Sequence, residues 1–135
     1  MPLQFILHVH RATHRIGLHV EQLGPPGVNQ AEAHILAHLD ANGHATVAEL
    51  HRAFAHKRST LTSILDRLEE RGVIERRTDA RDRRTFVITL TARGRTLARK
   101  VASHLAEFEA RVLQRVSARD IAAFARVLDA LEHDT

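Results

Sequence analysis

The chain has 135 residues and a mass of 15.2 kDa, room for one domain with a substantial core and not for two. Hydrophobic residues make up 44% and charged residues 27%, ordinary globular usage rather than the composition of a disordered chain. The net charge is +4, and the absence of Cys excludes disulfides, thiolate metal sites, thiol nucleophiles and cysteine redox sensing. No apolar run approaches a membrane span, and the first ten residues carry His8 and His10 without a basic start, unlike a signal peptide. The expectation is a soluble, cytoplasmic domain with no membrane partner.

Apolar residues recur at helical spacing from Leu3 to Leu23: Phe5, Val9, Ala12, Ile16, Val20 and Leu23. Gly24-Pro25-Pro26-Gly27 ends that helix. Asn29 with Glu32 forms a capping box for a second helix to about Ala41, with Ala31, Ile35, Leu36 and Leu39 as its buried stripe and Asn42-Gly43 closing it. Thr46 with Glu49 caps a short third helix to about Ala55, with Leu50 and Phe54 inward. A fourth helix runs from about Arg58 to Arg71, its stripe Leu61, Ile64, Leu65 and Leu68, with Gly72 at its end.

After Gly72 the period changes to that of strands. Residues 73–77 and 85–90 are short β-type runs, the second alternating Phe86, Ile88 and Leu90 against Val87 and Thr89. The charged stretch between them, 78–84, suits a hairpin tip. Thr91 caps a long helix with apolar positions Leu97, Val101, Leu105, Phe108, Val112 and Val116. Ser117 with Asp120 starts a last helix with the stripe Ile121, Phe124, Leu128 and Leu131.

This order predicts a mainly α fold with a small β-hairpin wing: a winged helix-turn-helix with N- and C-terminal dimerisation helices. Within the single domain 1–135, residues 29–96 form the DNA-binding lobe and residues 1–28 and 97–135 the dimerisation helices. The terminal stripes exceed what one chain can bury, which points to a homodimer through Phe5, Val9, Ile16, Val20, Phe108, Val112, Ile121, Phe124 and Leu128. Charge follows the same division. Residues 51–100 hold 14 basic and 6 acidic side chains, a balance of +8, whereas 1–50 and 101–135 each stand at −2. A basic middle inside a mildly acidic scaffold is the footprint of a polyanion-binding segment.

The run from Glu49-Leu50 through Lys57-Arg58-Ser59-Thr60-Leu61-Thr62-Ser63-Ile64-Leu65-Asp66-Arg67-Leu68-Glu69-Glu70-Arg71-Gly72 to Arg77 resembles the MarR (multiple antibiotic resistance regulator) family of bacterial transcription factors. So do Asp79-Ala80-Arg81-Asp82-Arg83-Arg84 and Leu90-Thr91-Ala92-Arg93-Gly94; the match covers about residues 46–95. The resemblance implies a homodimeric regulator of double-stranded DNA, usually a repressor that occludes a promoter. It further implies a small-molecule effector bound between the dimer helices and the DNA-binding lobe, changing the separation of the two recognition helices.

Physical chemistry supports the same assignment of the parts. The first turn of a recognition helix reaches base edges in the major groove. Arg58 can donate two bonds to guanine, and Thr60 and Thr62 can donate, accept or touch a thymine methyl. Lys57 and Ser59 suit phosphate, while Arg67 can touch the DNA backbone or pair with Glu70. At the wing, Arg81, Arg83 and Arg84, with Arg77 at its base, suit the minor groove. By resemblance, Asp82 pairs with an arginine and fixes the tip. Two departures from the family stand out. Ala55 and Lys57 replace a usual Gly and a capping Ser, costing the helix start about 1 kcal/mol, and Ser63 replaces a frequent basic residue.

Eleven histidines include two pairs at metal-ligand spacing, His10/His14 and His34/His38. The preferred reading is exposed or interface histidines without metal, with pH sensing at a His-rich dimer interface as a further reading. No motif calls for a cofactor, and no nucleophile–base group or carboxylate dyad marks an enzyme. The alternative function is a winged-helix protein–protein interaction module without DNA binding. Such a module would have lost its wing arginines or the polar start of the fourth helix, and this chain keeps both.

Overall fold

The computed structural model describes residues 2–134. Its elements are α1 (Ile6–Leu23), α2 (Gln30–Asn42), β1 (His44–Thr46), α3 (Val47–Phe54), α4 (Arg58–Glu70), β2 (Ile74–Thr78), β3 (Phe86–Leu90), α5 (Ala92–Leu113) and α6 (Ala118–Asp134). Helix α1 begins three residues later than its apolar pattern, because Phe5 at its start offers no side-chain cap. Helix α2 has the full predicted box: Asn29 accepts from the Glu32 N–H, and Glu32 accepts from the Asn29 N–H. Its buried face holds Ala33, Ile35, Leu36 and Leu39, together with Glu32; Ala31 is only half-buried.

The sheet has three antiparallel strands in the order β1-β3-β2, one more than the sequence pattern suggests. Ala45 lies opposite Ile88, and Ile74 opposite Leu90. A three-residue strand is too short to show a period, so pairing with β3 alone defines it. Ile88 and Leu90 face the core as expected. Phe86 does not; opposite Thr78 at the wing end of the ladder, it is exposed.

Leu50 of α3, Leu61, Ile64, Leu65 and Leu68 of α4, and Val73, Ile74 and Ile88 of the sheet are buried with the α2 stripe. This core carries α4 on its outer side with every third or fourth residue inward. At the end of the sheet, Thr91 caps α5, accepting from the Gly94 N–H at 2.9 Å and donating to the Gly72 carbonyl at 2.7 Å.

The chain divides into two compact units, one running to His104 and the other beginning at Leu105. In the second, α6 starts with a reciprocal box: the Asp120 N–H donates to Ser117 Oγ at 3.1 Å and the Ser117 N–H to Asp120 Oδ2 at 2.8 Å. Both bonds hold the Asp120 carboxyl below its ordinary range. Val116, expected on the long helix, falls beyond the end of α5, in the turn before this cap. Val20, expected at a dimer interface, is 2% exposed and belongs to the core of the first unit.

Candidate nucleic-acid interface

The candidate interface starts at the turn between α3 and α4. Thr46 caps α3 by accepting from the Glu49 N–H at 3.0 Å, and α3 ends at Ala55 in the left-handed region, φ 52°. A left-handed residue with a Cβ costs about 1 kcal/mol relative to glycine. Ala55→Gly is therefore expected to raise the unfolding free energy by about that amount, measured by urea titration. Lys57 then takes the N-cap position of α4 without a side-chain hydrogen bond. The first N–H groups of α4 therefore point outward at the positive end of the helix dipole, an arrangement suited to a phosphate oxygen.

Along the first two turns of α4, Arg58, Ser59, Thr60, Thr62 and Ser63 are exposed while Leu61 is buried. The Thr62 hydroxyl donates to the Arg58 carbonyl at 2.9 Å, leaving its oxygen free to accept and its methyl to touch an apolar edge. Arg67, on the last turns, is half-exposed, with Nε 4.0 Å from Glu32 Oε2.

The wing tip is ordered by its own aspartates. Asp79 accepts from the Arg81 N–H at 3.0 Å. Asp82 accepts from the Arg84 N–H at 3.1 Å and from Arg84 Nε at 3.0 Å. The guanidinium contact first, and then the backbone bond, hold the Asp82 carboxyl below its ordinary range. Thr85 closes the tip, donating from its N–H and its hydroxyl to the Asp82 carbonyl. Arg81 and Arg83 are exposed, and Arg77 pairs with Glu75 at 3.1 Å on the strand below.

Between wing and helix lies a cleft of about 600 Å³. Val47, Leu61 and Leu65 form part of its lining, with Arg52, Arg58, Arg76 and Arg84 as its charged members. Arg76 fastens strand β2 to α4, its Nη2 2.8 Å from Asp66 Oδ1 and 3.8 Å from Glu69 Oε1. His51, Arg52, Arg76 and Phe86 complete this face. No motif in the sequence places them there; the basic last turn of α3, directly before the turn, is the available signal.

Among the described residues, no group of three or more His, Cys, Asp or Glu could hold a metal ion. The His10 and His14 rings are tilted 59° to each other with centroids 4.4 Å apart on the exposed side of α1, and His38 meets the Phe54 ring edge-on at 5.6 Å. His19 and His104, 85 positions apart, approach to 3.1 Å. Burial first, and then the charge of nearby His56, hold His34 below the ordinary 6.5. The unfolded chain thus takes up this proton before the folded one. The associated stability is present above pH 6.5 and is lost as the pH falls below it towards the lowered value. Melting at pH 7.5 and 5.5 is expected to show a smaller acid loss for His34→Gln than for the parent.

On the remaining expected interface positions, Phe5, Val112, Ile121 and Phe124 are exposed, while Val9, Ile16, Phe108 and Leu128 are half-buried. Among the described residues no helix is long and apolar enough to cross a membrane.

Comparison with known proteins agrees with this geometry. The sequence profile of the MarR family matches residues 27–85. The HTH-type transcriptional repressor Rv2887 of Mycobacterium tuberculosis is 32% identical over 112 residues, covering 83% of this chain and 81% of that protein. The chain belongs to the MarR family. MarR-family members are transcriptional regulators, not enzymes. The MarR fold extends over nearly the whole chain. A probable transcriptional regulator from Pseudomonas aeruginosa superposes with a TM-score of 0.78 at 22% identity, covering 95% of this chain and 96% of that one. The MepR–DNA complex of S. aureus gives 0.76 at 23% identity, with 96% and 94% covered. This chain is accordingly a winged-helix, DNA-binding transcriptional regulator.

Proposed function

We propose that the chain acts in the cytoplasm as a homodimeric repressor that binds a pseudo-palindromic operator and is released by a small-molecule effector. The observation that carries this reading is the placement of two readers on one basic face. The uncapped, polar start of α4 stands across a cleft from a wing whose tip is fixed by the Asp82–Arg84 pair. In this reading Arg58, Thr60, Thr62 and Ser63 meet base edges, Lys57 and Ser59 meet phosphates, and Arg81, Arg83 and Arg84 enter the minor groove. Arg67 and Arg77 lie at the margins of the contact. Phosphate at the start of α4 supplies the acceptor that Lys57 does not.

Dimerisation is supported by the apolar side chains left on the surface of the second unit. Ile121, Phe124 and Val127 of α6 are exposed, and α6 has no fully buried residue. Two-fold symmetry then sets half-sites about one helical turn, roughly 34–36 Å, apart. The MepR structure, solved as a DNA complex, supports duplex DNA as the partner.

Fluorescence anisotropy on the DNA upstream of the chain's own gene, with light scattering for the mass, tests the proposal. The expected result is a dimer whose affinity falls steeply with salt. Arg83→Ala plus Arg84→Ala should weaken binding and reduce the salt slope. A monomer, or binding indifferent to salt and to those substitutions, would contradict it.

A further inference from the structure

Among the described residues, Glu32 is the only charged side chain that is buried, at 3% exposure. Its capping-box bond to the Asn29 N–H, 3.0 Å from Oε1, does not require a charge. A neutral glutamine at this position serves a capping box equally well, and burying a carboxylate is costly unless cations compensate it. The compensation comes from the far end of the recognition helix. Oε2 lies 3.6 Å from Arg71 Nη1 and 4.0 Å from Arg67 Nε. Arg71 Nη1 also donates to the Gly27 carbonyl at 2.8 Å, reaching the turn that joins α1 to α2. One carboxylate and one carbonyl thus hold two arginines, one helical turn apart, at the C-terminal end of α4, away from its first turn.

We propose that Glu32 is a positioning residue for DNA recognition. By holding Arg67 and Arg71 against the first turn of α2, it sets the angle at which Arg58 and Thr62 meet the duplex. This inference rests on the DNA-binding reading of α4. Its leverage follows from length: 13 residues at 1.5 Å each make α4 about 20 Å long. A 10° tilt about its anchored end therefore displaces Arg58 by about 3 Å, more than the whole tolerance of a hydrogen bond. The same pairing moderates two cations that would otherwise strengthen sequence-independent attraction to DNA.

The two effects have opposite signs, which makes the inference testable. Glu32→Gln keeps the cap and removes the charge that pairs with both arginines, leaving Arg71 its bond to the Gly27 carbonyl. Binding is measured by anisotropy at fixed salt on two probes. One is a duplex selected from a randomised library by the parent protein, and the other is a scrambled duplex of equal length. The variant is expected to bind the selected duplex about tenfold more weakly, the scale of one lost base contact. It should bind the scrambled duplex as tightly as the parent or more tightly. Arg71→Gln should lower selected binding similarly, and the double variant should be no worse than either single one, as members of one unit behave. Melting curves identify any variant that fails to fold; for Glu32→Gln, the partly exposed Arg71→Gln then decides the matter. Undiminished selected binding, or equal losses on both probes, would overturn the inference. A parent that binds no duplex would instead overturn the DNA-binding reading on which it rests.

Discussion

Gly94→Ala is expected to destabilise the first unit by about 3 kcal/mol, although in a helix this substitution ordinarily stabilises by about 1 kcal/mol. The reason lies in how α5 meets the sheet. The Thr91 N–H donates to the Val73 carbonyl at 3.1 Å while its hydroxyl donates to the Gly72 carbonyl at 2.7 Å, so the first turn of α5 is drawn onto the start of β2. A Cβ at Gly94 would overlap the Val73 carbonyl oxygen and stand 2.8 Å from its carbon. Neither side can yield cheaply, because Val73 and Ile74 are buried and Ile74 is paired with Leu90. For a chain of this size the cost corresponds to a fall in Tm of about 10 °C, compared at one protein concentration because assembly also shifts Tm. Gly43→Ala is the control. A Cβ there meets nothing within 4 Å, so the substitution bears only the left-handed strain at φ 82°, about 1 kcal/mol. If Gly94→Ala were no worse than Gly43→Ala in urea titration, this account of close approach would be wrong.

Arg58→Ala is expected to have the largest effect on DNA binding with none on folding. Arg58 is exposed on the first turn of α4, where a positive charge opposes the helix dipole, and alanine is the better helix former. Tm should therefore hold or rise slightly. A bidentate contact to guanine is worth about 2 kcal/mol, and the proposed two-fold dimer would lose it twice, so operator affinity should drop on the order of a thousandfold. The loss should be confined to the selected duplex, with discrimination relaxed at one base pair in each half-site. Lys57→Ala provides the contrast, weakening binding to all sequences and lowering the salt slope. An Arg58→Ala protein that retains its operator preference would remove Arg58 from base readout, whatever its affinity.

Both expectations concern residues visible in the sequence, for different reasons. Arg58 was legible as an outward-facing candidate because the apolar stripe of α4 places it outward on the first turn. Gly94 was visible only as part of a motif; its reason is a carbonyl 21 positions earlier, which no local pattern displays. The same boundary divides the rest of the molecule. Asn29 with Glu32, Thr46 with the Glu49 N–H, and Ser117 with Asp120 cap their helices as expected. Each of these bonds joins residues three apart and forms as soon as the helix does.

Sequence by itself therefore determined the helix boundaries near strong caps, the stripe of α4 and most of that of α2, and the family. Tertiary structure alone decided that 44–46 form a strand, since their partners lie at 87–89. It also took Val20 into the core, left Phe86 in the wing cleft, brought His19 to His104, and joined Glu32 to Arg67 and Arg71. A cap or a stripe is set by neighbours within about one turn, whose geometry the backbone dictates. A buried carboxylate's partner, or the face a short strand shows, depends on which distant surfaces the whole chain brings together.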